Sequence, residues 1–132
     1  MDCLFCTEIK ERHIIFETEH FKAVYDIDPI QVGHVLVMTK EHIMHVNELS
    51  QHQLNELFVI QKQVIDVMEK TLLVDGVTNV LNNGRIIDVG THFHVHFIPR
   101  YEGDEFWTHQ QVVEKPINLQ SLRISLKEGV RI

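Results

Sequence analysis

The segment GTHFHVHFIPR, residues 90–100, carries three histidines at alternate positions. Side chains alternate between the two faces of a strand, so His92, His94 and His96 are expected on one face and Phe93, Val95 and Phe97 on the other. The apolar set should pack toward the core. Alternate residues stand ~6.6 Å apart along a strand. That is too far for neighbouring rings to bond each other, yet close enough to line one ligand. Imidazole near pH 7 is neutral, nucleophilic and able to bind metal. Three uses are therefore open: a solvated polar face, three ligands on one metal ion, or a divided task. In the divided task one ring attacks phosphorus and others hold the phosphate.

A second group with chemical potential is the pair Cys3 and Cys6, the two cysteines of the chain. A C-x-x-C pair is half of a metal site, a redox pair or chance. A redox pair is expected at the start of a helix that follows a strand. This pair precedes every predicted strand, so metal is the preferred reading, and no structural disulfide is expected in a reducing compartment.

These residues need elements to position them. Residues 14–18 (IIFET) and 21–26 (FKAVYD) read as two strands joined by a tight turn at Glu19–His20. Residues 26–33 form a loop punctuated by Pro29 and Gly33, and residues 34–40 (HVLVMTK) a third strand. Ser50 then caps a helix, with Gln53 completing a capping box. Leu54, Leu57, Phe58, Val64, Ile65, Met68 and Leu72 form its apolar stripe. Ile60 and Val67 fall off that stripe and await either a loop or a second subunit. Residues 76–84 and 91–100 read as two more strands, and 118–130 as a short C-terminal helix. Short connections favour an α+β domain: a five-stranded, mainly antiparallel sheet with one long helix on a face and a C-terminal helix.

At 132 residues the chain suits one domain, 1–132, with one core. Its formal net charge of -7 argues against a nucleic-acid duplex as partner, because such binding needs clustered cations. A small anionic ligand is compatible, since local donors decide that. No apolar run has the length of a membrane span, and MDCLFCTEIK lacks the pattern of a signal peptide, so no membrane partner and a cytoplasmic location are expected.

The strand H-φ-H-φ-H-φ-φ (φ apolar), met by His92 through Ile98, combines with D-x-x-P-x-x-x-G-H upstream, where Gly33 precedes His34. Over residues 3–107 the chain resembles the histidine triad (HIT) family of nucleotide hydrolases and transferases. The resemblance implies that His94 attacks the α-phosphorus of a nucleotide, forming a covalent nucleotidyl-histidine that water later hydrolyses. A backbone carbonyl would hold the proton on its other nitrogen. His96 and His34 match positions that contact the phosphate and stabilise charge there. Asp26 matches the acid that binds the ribose hydroxyls. Val24 and Ile27 match positions that sandwich the base, expected to be a purine, and Asn82 matches a polar position near the phosphate. In the metal-containing branch of the family, Cys3, Cys6, His42 and His92 would form a closed structural zinc site. His45 is the less favoured alternative to His42. The resemblance further implies a homodimer, to which Trp107 would contribute a C-terminal aromatic reaching the partner's site.

The chain departs from the family ahead of the triad. A Gly-Gln pair, often followed by Ser or Thr, usually assists the leaving group. Here the sequence reads NNGRIIDVGTH, without glutamine. Asp88 and Thr91 lie nearest the missing donors; a threonine hydroxyl could donate there, whereas a carboxylate would repel phosphate. Thr39 also replaces the usual proline before Lys40.

Overall fold

The structure is a computed structural model that describes residues 2–132. After a one-turn helix α1 (Leu4–Thr7), the strands are β1 (Phe16–Glu17), β2 (Phe21–Tyr25), β3 (Val35–Thr39), β4 (Gly76–Leu81) and β5 (His94–Arg100). Helix α2 (Gln51–Leu72) links β3 to β4, and helix α3 (Leu119–Gly129) follows the sheet. The five strands form one sheet in the order β1-β2-β3-β5-β4, and every neighbouring pair is antiparallel. The expected α+β architecture is therefore present.

The strands are shorter than the sequence suggests. The first covers Phe16–Glu17 rather than 14–18, and the fourth stops at Leu81, ahead of a single 3-10 turn at Gly84–Ile86. The last strand starts at His94, so His92 and Phe93 lie before it. They are held by isolated bonds: the Phe93 amide donates to Ile43 O, and the Thr39 amide to Phe93 O. A strand reading based on alternation cannot see where ladder pairing stops.

Register sets the two faces of the sheet. Val35 pairs with Phe97, Leu36 with His96, Val37 with Val95 and Met38 with His94. Phe93, Val95 and Phe97 thus join Val37, Phe21 and Ala23 in the main core beneath α2. Leu36 and Met38 share the histidine face and form a smaller cluster with Val24, Cys3 and Phe5. The N-terminal segment therefore covers part of the face that carries the histidines.

Helix α2 begins as read: Ser50 Oγ accepts from the Gln53 amide at 3.1 Å, and Gln53 Oε1 accepts from the Ser50 amide at 2.8 Å. Its buried arc differs from the expected stripe. Leu57, Ile60 and Met68 are buried, with Leu54, Val64 and Ile65 partly so, whereas Phe58 and Leu72 are exposed. At ~100° per residue, Leu57, Val64 and Met68 nearly superpose, and Ile60 and Leu54 lie about 60° to either side. Phe58 falls about 100° away, on the flank. Ile60 is thus a core residue needing no loop or partner, while Val67 is exposed. Helix α3 is capped by Asn118, whose Oδ1 accepts from the Ser121 amide at 3.0 Å, and all its residues are exposed.

Candidate active site and metal centre

The triad strand sits at the centre of the site. His94 is buried, and its Nδ1 donates to the carbonyl oxygen of His92 at 2.6 Å. That bond fixes the tautomer and leaves Nε2 with a free lone pair. The His94 ring meets Phe5 edge-on at 5.1 Å between centroids and His96 at 4.7 Å. Phe5, the aromatic residue between the two cysteines, is a site contributor that sequence reasoning missed. Its only signal was a large aromatic inside C-L-F-C.

His96 and His34 form a directed chain. The Ile30 amide donates to His34 Nδ1 at 3.1 Å, so the proton of neutral His34 resides on Nε2. His34 Nε2 then donates to His96 Nδ1 at 2.9 Å. His96 must therefore carry its own proton on Nε2, as a donor available to a ligand. Burial is the foremost cause lowering the His34 pKa. Burial, with the nearby His94 and His34, pushes His96 down to about 4. Both rings are thus held neutral near pH 7, as the chain requires. Gly33 makes the turn into β3 with φ +92, where a Cβ would approach Pro99 Cγ at 3.3 Å.

Asp26 stands beside this chain. Its Oδ1 accepts from the Asp28 amide at 2.9 Å, and its Oδ2 lies 3.5 Å from His34 Nε2. Val24 is buried in the smaller cluster, and Ile27 is fully exposed on the 26–33 loop. Asn82 is half-buried beyond the end of β4, and the hydroxyl of half-buried Thr91 donates to Asp88 O at 2.7 Å. Asp88 acts electrostatically on His96, favouring its protonated form. Asn79, which sequence reading did not single out, donates from Nδ2 to His96 O at 3.1 Å and braces the strand. Trp107 is exposed and packs edge-on against Phe106 at 4.9 Å.

His92 faces elsewhere. Its Nε2 donates to Thr39 O at 2.6 Å, which leaves the Nδ1 lone pair toward Cys3 Sγ at 3.3 Å and Cys6 Sγ at 3.5 Å. His42 Nδ1 lies 3.4 Å from Cys6 Sγ. These four donors form one cluster suited to a metal ion. Tetrahedral zinc with sulfur at ~2.3 Å and nitrogen at ~2.0–2.1 Å has N···S edges of about 3.5 Å, so the spacing fits. Two thiolates and two imidazoles leave no open position, the signature of a structural site. Among the described residues, His92, His94 and His96 do not converge on a common metal position: His92 joins the cysteines, and His96 groups with Asp26 and His34.

Residues 7–103 match the HIT domain, and the chain belongs to the HIT domain family. It is 38% identical over 106 residues to an uncharacterised HIT-like protein of Methanocaldococcus jannaschii, covering 77% of this chain and 81% of that one. It is 30% identical over 97 residues to a bis(5'-adenosyl)-triphosphatase of Dictyostelium discoideum, covering 73% and 65%. Among solved structures it superposes on a HIT family member from Bacillus subtilis with TM-score 0.74 and 26% identity, covering 100% of this chain and 99% of that one. A zinc-bound histidine triad family protein from Mycobacterium smegmatis gives TM-score 0.67 at 25% identity, covering 96% and 94%. The family includes nucleotide hydrolases such as bis(5'-adenosyl)-triphosphatase. Among the described residues, no helix is long and apolar enough to cross a membrane.

Proposed function

We propose that this chain is a nucleotide hydrolase or nucleotidyl transferase that works through a covalent nucleotidyl-histidine at His94. The observation that carries this reading is the single tautomer of His94, whose Nδ1 proton is committed to the His92 carbonyl. Its Nε2 lone pair attacks the α-phosphorus. A P–N bond to the ring forms as the P–O or P–N bond to the leaving group breaks, and the leaving group departs with the electron pair. Water then attacks the same phosphorus and returns His94 to its starting form. His96 Nε2–H is placed to donate to phosphate oxygens, and His34 keeps that tautomer in place. Asp26 accepts from the ribose hydroxyls on the rim, while Val24 and Ile27 flank a purine base and Asn82 approaches the phosphate.

Cys3, Cys6, His42 and His92 hold a structural zinc ion in this reading, supported by the donor set and by the zinc-bound relative. The ion ties the N-terminal segment, and with it Phe5, to the triad strand. The working unit is proposed to be a homodimer. The Asp88–Thr91 loop favours slow turnover or a particular leaving group, because its hydroxyl is already engaged and a carboxylate stands near His96.

The test is a panel of diadenosine polyphosphates, adenosine and guanosine phosphoramidates and acyl nucleotides, quenched during turnover and mapped by mass spectrometry. A nucleotidyl adduct on His94, together with monophosphate release, is expected. Nucleotide binding with neither adduct nor release would instead assign a binding protein without catalysis.

A further inference from the structure

Across β3 from the triad strand, the turn between β1 and β2 meets the first turns of α2, and four metal-capable side chains meet there: Glu19, His20, His52 and Glu56. Glu56 is already fully engaged. Its Oε2 accepts from Thr18 Oγ1 and from the His20 amide, each at 2.8 Å, and its Oε1 accepts from His20 Nδ1 at 2.9 Å. The proton of His20 is therefore on Nδ1, and its Nε2 offers a lone pair. That Nε2 lies 3.8 Å from Glu19 Oε1, and His52 Nε2 lies 3.4 Å from Glu19 Oε2. The His20 and His52 rings stand 5.7 Å apart between centroids, steeply inclined at 83°. A divalent ion with nitrogen and oxygen ligands at ~2.0–2.2 Å has ligand–ligand edges of about 3.3 Å, and the donor atoms here all lie within 4.8 Å of one another, so a small inward movement of these side chains closes the set around an ion.

We propose that His20, His52 and Glu19 form a second divalent transition-metal site, with Glu56 as the carboxylate that orients His20. A carboxylate bound to the free ring N–H of a ligating histidine fixes its tautomer and raises its basicity. Two imidazoles and one carboxylate select a borderline ion such as Zn²⁺, Co²⁺ or Ni²⁺ over Ca²⁺ or Mg²⁺, which prefer all-oxygen sets. Three protein ligands leave a coordination position open, and Glu19 and His20 also border a cavity of about 240 Å³ shared with Lys40, Glu41 and Gln53. The site thus differs from the closed sulfur-containing cluster, and it does not depend on the proposed nucleotide chemistry.

Cobalt titration of the metal-free full chain tests this, because Co²⁺ bound to thiolate gives near-ultraviolet charge-transfer bands whereas Co²⁺ on nitrogen and oxygen gives only weak visible bands. Wild type is expected to take up two equivalents, one with and one without thiolate bands. His52→Ala, at an exposed position, and Glu19→Gln should each weaken only the equivalent lacking thiolate bands, by no less than the roughly 10- to 100-fold that loss of an orienting partner costs. Zinc in excess should raise the melting temperature of Cys6→Ser further than that of the Cys6→Ser/His52→Ala double variant. Uptake of one thiolate-bound equivalent alone, or two equivalents of unchanged affinity in both single variants, overturns the proposal.

Discussion

The Nδ1 atom of His94 donates to the carbonyl oxygen of His92 at 2.6 Å, so a residue of the proposed zinc site fixes the tautomer of the proposed nucleophile through its own backbone. A His94→Asn variant keeps a polar, uncharged side chain but removes the nucleophilic ring nitrogen. Its kcat on a responsive nucleotide is expected to fall by at least about three orders of magnitude, while the Kd for the nucleoside monophosphate changes only a few-fold. Steady-state kinetics beside equilibrium binding decides this. Comparable losses in both quantities would mean that His94 binds rather than reacts.

Neutral His96 gives stability a particular pH dependence. Its native pKa is pushed down to about 4, whereas an unfolded histidine titrates near ~6.5. Between those values the unfolded chain binds a proton that the native chain does not, so stability is full above the higher value and declines as pH falls toward the lower. His34, lowered chiefly by burial, acts in the same direction. His20 acts oppositely, because its bond to Glu56 raises its pKa. The contribution of His96 is therefore read as a difference. Urea midpoints of His96→Gln should fall less steeply between pH 7 and 5 than those of the wild type, and identical slopes would contradict the assigned environment.

Removing the proposed zinc should weaken the fold before it alters the chemistry. At free zinc ~100-fold above its Kd, a native-state site contributes about 2.7 kcal/mol. Chelation should lower the melting temperature by several degrees, and excess zinc should restore it. Cys3→Ser is expected to melt lower and, with no zinc added, to respond to chelator less than the wild type does, because Cys3 lies buried against His92. A melting temperature of the wild type that is indifferent to chelator would remove zinc from the description.

The sheet, the capping box and the sorting of histidines from phenylalanines were legible, because each rests on local periodicity or a short-range hydrogen-bond pattern. The buried arc of α2 was less so. Phe58 looks like core by residue type, but which flank of a helix the sheet covers is set by the tilt of two packed elements, which no local pattern encodes. Ile60→Ala should cost about 2–5 kcal/mol, whereas Phe58→Ala should stay within about 1 kcal/mol. Chemical denaturation of both variants measures this. An equally large loss for Phe58 would show that another chain covers that flank. In the site, the role of Phe5 and the His34–His96 proton direction were illegible for a related reason: both depend on contacts between segments distant in sequence.

The end of α2 offers a change that should stabilise the protein. Leu73 follows the last helical residue with φ 54 and ψ 39, a left-handed conformation, and it is the one residue other than glycine with positive φ among those described. A β-carbon in that region costs roughly 1–2 kcal/mol, which is why glycine is the usual residue at this point of a helix. Leu73 is 86% exposed, so its side chain gives back little packing energy. Glycine would relieve the steric cost but lose more backbone entropy on folding, which offsets part of the gain. Leu73→Gly is therefore expected to stabilise the protein by about 0.5–1 kcal/mol, read as a higher urea midpoint at unchanged slope. A lower midpoint would mean that the leucine side chain makes contacts in solution that a single chain does not provide.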